Sequence, residues 1–196
     1  MGELRGSYRV HFVLASALCG AALLCLVSTW LPGRFTVPAW LCAALFVGVF
    51  PVFVVALFRC IVAARLTDRA NGHLLVRYVP ALPPALKVTY AVVCCLAALG
   101  VATGAGTAED AKADASGYYY TSWDRTTQPQ HSVRVELTES EYHEALKGEV
   151  RIFSSGPAVF YAVASFLVLA SASAAASRTR TASPRSAGTG RRSARP

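Results

Sequence analysis

Apolar and polar positions along this chain separate into long blocks instead of alternating. Residues 12–31, 39–58, 88–105 and 157–176 contain no Asp, Glu, Lys, Arg or His. These runs are 18 to 20 residues long, and a helix needs about 20 residues to cross a hydrocarbon core of about 30 Å. They are apolar around the whole helix circumference, as suits lipid or complete burial. The third run is the least apolar, with Thr89, Tyr90 and Thr103. A water-soluble bundle would need a charged face on each helix, and these runs offer none. The expected fold class is an all-α membrane protein with four transmembrane helices. A small α+β extracytoplasmic cap is expected between helices 3 and 4.

Pro51 follows Gly48 inside the second run, where a kink or a hinge is expected. The first run is longer than the about 7 to 15 apolar residues of a secretory signal, and no small-x-small site follows Trp30. Leu18 before Cys19 and Leu24 before Cys25 do not fit a lipoprotein signal. The run is therefore expected in the mature protein. The chain divides into a cytoplasmic N-terminus (1–11), three spans with their connections (12–105), an outer linker and cap (106–156), a fourth span (157–176) and a basic tail (177–196).

The cap segment opens with Ala, Gly, Thr and Asp and reads as a linker through Ser116. The aromatic run Tyr118, Tyr119, Tyr120 and Trp123 follows. Residues 132–137 alternate with period two, as in a half-buried strand. Thr138 with Glu141 three residues on is a capping box. The pattern then predicts a helix over 139–147 that stops at Gly148, with Tyr142, Ala145 and Leu146 on one face. Val150 and Ile152, flanking Arg151 and followed by Phe153, predict a second strand. So small a cap must lean on the membrane, the spans or a partner. Its leaning and partner-binding surface is expected at Tyr118, Tyr119, Tyr120, Trp123 and Tyr142, since aromatic rings favour both the headgroup level and binding hot spots.

Composition sharpens this reading. Hydrophobic residues make up 54% of the chain and charged ones 15%, against about 25% charged in an ordinary soluble domain. The net charge of +8 is mostly a topology signal. Thirteen of the 19 Lys and Arg residues fall in the two termini and the second connection. Basic residues stay on the cytoplasmic side, so a plasma-membrane protein with both termini cytoplasmic is expected. The tail from Ser177 is Arg, Ser, Thr, Gly, Ala and Pro. It is expected to be disordered and to act as a retention signal, with weak contact to anionic lipid and phosphorylation at Ser183 as the functional alternative. Residues 73–79 are short, basic and apolar, and could lie on the inner membrane surface. No nucleic-acid fold accompanies the basic residues, so no nucleic-acid partner is expected.

Five of the six cysteines lie in the runs, and Cys60 sits just past the second. They read as small buried hydrophobes, with acylation of Cys60 as the minor alternative. The adjacent Cys94 and Cys95 point about 100° apart on a helix and make a poor metal pair. Outside the runs, Glu139, Glu141 and Glu144 with His131 and His143 form the one candidate catalytic or metal cluster. Glu139 and His143 share a helix face, but two ligands are not a site. A solvated helix surface is the expectation, with no catalytic residue, cofactor or metal. No phosphate loop, nucleophile elbow or kinase signature is present. Runs without ionisable groups argue against a coupled transporter, with His11, Arg59 and Lys87 expected to snorkel at the edges. Small residues at Ala17, Gly20 and Ala21, and at Ala162, Ser165, Ala170, Ser171, Ala172, Ser173 and Ala174, predict close helix packing.

The segment from Gly117-Tyr118-Tyr119-Tyr120, through Arg134-Val135-Glu136-Leu137-Thr138 and Glu144-Ala145-Leu146-Lys147, to Arg151-Ile152-Phe153 resembles a group of actinobacterial four-pass integral membrane proteins of no known activity. High Ala and Arg with little Lys and Met suits a GC-rich genome. The resemblance implies a bacterial plasma membrane and brings no site. A short first and longer second outer loop is also similar to the tetraspanins, but their extracellular cysteines are absent. The function expected is non-enzymatic: an accessory or scaffold protein in the lipid bilayer, binding a membrane-protein partner or itself. A small channel or transporter subunit for a neutral solute is the alternative.

Overall fold

The computed structural model describes residues 6–67, 78–80, 82–107, 110–124 and 131–181. The helices are α1 (Ser7–Ser28), α2 (Ala39–Thr67), α3 (Pro84–Gly104) and α4 (Glu139–Thr181). Between α3 and α4 lie β1 (Lys112–Asp114), β2 (Gly117–Asp124) and β3 (His131–Leu137). The chain is thus mostly helical with a small sheet, and all four helices are long and apolar enough to cross a membrane.

The bundle is organised around α4. The other three helices pack chiefly on α4 and only lightly on one another. Ala158, Tyr161, Ala164 and Val168 of α4 are fully buried. Of the small residues expected on α4, Ala162, Ser165, Ala170, Ser171 and Ala174 are buried, while Ala172 and Ser173 are half-buried. On α1 the contact face is Ala15, Cys19, Ala22 and Leu26, and the expected Ala17 is exposed with Gly20 and Ala21 half-buried. A helix that is apolar all round has no polar stripe to mark its packed face, so the sequence pattern could not choose it.

Two glycines set how α3 meets α4. A Cβ on Gly104 would stand 2.7 Å from the Gly148 carbonyl oxygen and 3.0 Å from Ile152. Gly100, one turn earlier, faces Ser155 and Leu26. The four-residue spacing of Gly100 and Gly104 lets the two backbones approach. This corrects the expected end of a helix at Gly148. That residue marks a helix crossing, so α4 continues through it, and residues 150–153 are helical instead of forming a strand. Pro157 also lies inside α4 and is fully buried. Packing on several sides holds the helix across the missing N–H. α4 then runs to Thr181, so residues 177–181 belong to a helix and not to a disordered tail. The remainder of the tail, with Ser183, lies outside the described residues.

Other expectations shift with these longer helices. α1 begins at Ser7, so His11 lies inside it, buried, with Nε2 3.0 Å from the Val52 carbonyl. It packs on α2 and does not snorkel. α2 extends past residue 58 to Thr67, and Cys60 is buried, as the reading of the cysteines as small buried hydrophobes expects. Cys94 and Cys95 are exposed on α3, in contrast to the buried Cys19, Cys25 and Cys42. Near Pro51, Gly48 admits the Tyr161 hydroxyl, which would lie 2.7 Å from a Cβ there and donates to the Leu45 carbonyl at 2.7 Å. Gly48 therefore serves a side-chain contact. Most of the surface-lying segment expected at 73–79 is outside the described residues.

The sheet is antiparallel in the order β1-β2-β3. β1 falls in the expected linker, where Lys112, Ala113 and Asp114 are all exposed and give no apolar alternation to read. In the register, Tyr118 faces Leu137, Tyr120 faces Val135 and Ser122 faces Val133. Their intervening neighbours, Tyr119, Arg134 and Glu136, point the other way with Lys112 and Asp114. The sheet thus has an apolar and a charged face. β3 ends one residue before the expected capping box, which forms: Glu141 accepts from the Thr138 N–H and hydroxyl at 2.7 Å each.

Candidate functional site

Where α1 ends, the Ser28 and Thr29 hydroxyls and the N–H groups of the next turn take its last carbonyls. α4 reaches the residues just beyond. Arg151 donates from Nε to the Thr29 hydroxyl at 3.1 Å and from Nη2 to the Thr29 carbonyl at 3.2 Å. Lys147 donates to the Leu31 carbonyl at 3.4 Å and pairs with Glu144 at 3.2 Å. A cation at a helix C-terminus is favourable, by up to about 2 kcal/mol when partly buried. Arg34, in the α1–α2 connection, pairs with Glu139 at 3.0 Å. These groups line a cleft of about 740 Å³ between the end of α1 and the first turns of α4.

The charges in this cleft are layered. Lys147 and Arg151 form its floor at 5% and 8% exposure, while the side chains of Glu139 and Glu144 form its rim at 46% and 52%. Glu144 reaches both floor cations, at 3.2 Å and 3.6 Å. His143 lies between the layers, with Nε2 3.9 Å from Glu139. Its Nδ1 is buried and has no hydrogen-bond partner among the described residues.

Glu139, His143, Lys147 and Arg151 recur every four residues and so share one stripe of α4. Sequence reasoning found the first two. It missed Arg151 because it broke the helix at Gly148 and placed Arg151 in a strand, and it missed Lys147, Thr29 and Arg34 because the contact between the end of α1 and α4 is tertiary. The four-residue ladder was the available signal. The Glu139–His143 pair gains no third ligand: among the described residues no group of three His, Cys, Asp or Glu side chains could hold a metal ion. Glu141 is taken up by the capping box, which holds its carboxyl below the ordinary range through the Thr138 N–H and hydroxyl. The side chain of His131 is outside the described residues.

The five aromatic residues singled out by the sequence do not form one surface. Tyr118 stacks on Tyr142 with ring centroids 4.5 Å apart and thereby docks β2 on α4. Tyr120 shares the Tyr118 face. Tyr119 lies on the charged face, with the Arg134 guanidinium 3.7 Å above its ring. Arg134 also holds Asp114 through two bonds, at 2.7 and 3.1 Å. With Ser116 it keeps that carboxyl well below the usual range. Trp123 sits opposite Ser132 in the register, and its side chain is outside the described residues.

A second, apolar groove of about 470 Å³ runs between the start of α2 and α4, bordered by Val37, Phe46, Leu146, Val150 and Phe153. Comparison with known protein families finds no matching family. Comparisons with curated proteins and with solved structures find no match either.

Proposed function

We propose that this chain is a non-enzymatic, multi-pass plasma-membrane protein, an accessory or scaffold subunit that presents its small sheet to a partner. In this reading the membrane is a bacterial one, as the resemblance to actinobacterial four-pass proteins suggests. Both termini are cytoplasmic in this reading, and the sheet lies outside with the polar cleft at its base. The distribution of basic residues supports that orientation. The observation that carries the reading is the continuity of α4, which starts at the sheet and forms the buried centre of the bundle. A partner seated on the sheet would be coupled rigidly to the membrane segment.

The sheet offers an apolar face only lightly covered by α4, with Val133 at 39% exposure. The channel reading has less support. Fully buried α4 side chains occupy the axis through which a solute would have to pass. The test is cross-linking in native membranes followed by affinity purification, comparing the wild type with Val133→Glu. The reading expects a stoichiometric partner that the variant loses. Identical recovery with both, or no partner with either, would contradict it.

A further inference from the structure

The polar cleft has the charge order of a receptor for a zwitterion: Lys147 and Arg151 at the floor, Glu139 and Glu144 at the rim, where the exposed Arg34 pairs with Glu139. We propose that it binds the headgroup of a phospholipid bearing a primary amine, a phosphoethanolamine-type group, with phosphate at the floor and ammonium at the rim. The proposal rests on the membrane reading above.

Four observations converge on it. First, the floor cations are not exhausted by their partners among the described residues. Arg151 uses Nε and Nη2 on Thr29, leaving the Nη1 amino group, and Lys147 uses two of three N–H donors. Second, His143 lines the same cleft, and its buried Nδ1 has no hydrogen-bond partner among the described residues. Third, a bare anion would meet Glu139 and Glu144 at the entrance. A zwitterion avoids this, because its ammonium pairs with the carboxylates while its phosphate takes up the floor cations. A quaternary amine could not donate hydrogen bonds to those carboxylates, whereas a primary amine can.

Fourth, the cleft opens where a lipid could reach it. Arg151 precedes Pro157, the first residue of the apolar run, by six residues, about 9 Å along a helix. That sets the floor at the headgroup layer of a bilayer whose core the run spans. Leu24, Val27 and Leu31 of α1 and the turn after it are exposed at 72%, 42% and 59%. Spaced three and four residues apart, they make an apolar track leading away from the cleft, along which the acyl chains can remain in lipid.

The experiment uses the full chain in nanodiscs of phosphatidylcholine with equal small fractions of phosphatidylethanolamine and phosphatidylglycerol. Lipids that stay bound on release into detergent are counted by native mass spectrometry. Stable incorporation into the discs tests the membrane reading separately, since it does not depend on headgroup. Phosphatidylethanolamine is expected to be retained over the other two by about tenfold, the worth of one charge-assisted hydrogen bond. Glu139→Gln, at the exposed rim, should erase most of that preference with the fold intact. Lys147→Gln should lower retention of every phospholipid. Free phosphoethanolamine that displaces the lipid at millimolar concentration would support the same site with a soluble source of the headgroup. Failure to displace would support the lipid as the occupant. Equal retention of all three lipids by wild type, in discs that incorporate the chain normally, would overturn the proposal.

Discussion

Gly104 shows how much one absent methyl group can decide. Its Cα faces the Gly148 carbonyl so closely that any side chain must push α3 away from α4. Gly104→Ala is expected to cost about 1 to 3 kcal/mol, the range for overpacking a close contact. Gly106, with open space around its Cα, is the control, and Gly106→Ala should leave the midpoint of thermal unfolding in detergent unchanged. Arg151 is the polar counterpart. It is buried and ties α4 to the end of α1 through Thr29. Arg151→Ala leaves the buried Thr29 hydroxyl and carbonyl without that donor, and each buried polar group left unsatisfied costs about 1 to 3 kcal/mol. The same thermal measurement should show a larger fall than for Gly104→Ala. A smaller fall would mean that the floor of the cleft is not structurally engaged.

Among the elements, those marked by strong local chemistry could be read from sequence. The four apolar runs, the alternating β3 and the Thr138–Glu141 capping box all form where expected. Elements set by tertiary contact could not. β1 has no apolar alternation, and α4 passes through a glycine and a proline that would punctuate an isolated helix. The candidate site suffered from the second error, since the ladder from Glu139 to Arg151 exists only on an unbroken helix. At the start of α4, Thr138→Ala should cost about 1 kcal/mol of local helix stability, seen as faster hydrogen exchange confined to the first turn.

The sheet also carries a pH dependence. Asp114 and Glu141 are held below their ordinary carboxylate range by Arg134 and Ser116 and by Thr138 respectively. Their ionised forms therefore stabilise the folded state at any pH above their unfolded values of about 4. As the pH falls below that and then through the lower folded values, the contribution disappears. Hydrogen exchange in residues 112–124 and 131–141 should accelerate relative to the bundle at acid pH. Asp114→Asn should blunt the change in the sheet.

For the whole molecule, the central fact is that a single helix is both the stem of the sheet and the axis of the bundle. This explains why the chain needs so little contact among α1, α2 and α3. It also places the cleft and the two-faced sheet at one end of four apolar helices. The orientation of that end is the claim on which the functional account rests. The most direct measurement is labelling with a membrane-impermeant maleimide in intact cells, using Ser116→Cys in the sheet and Ser193→Cys in the tail, with the wild type as the blank for the native cysteines. The account predicts that Ser116→Cys is labelled in intact cells and that Ser193→Cys is labelled only after permeabilisation. The reverse pattern, or equal labelling of both before permeabilisation, would contradict it.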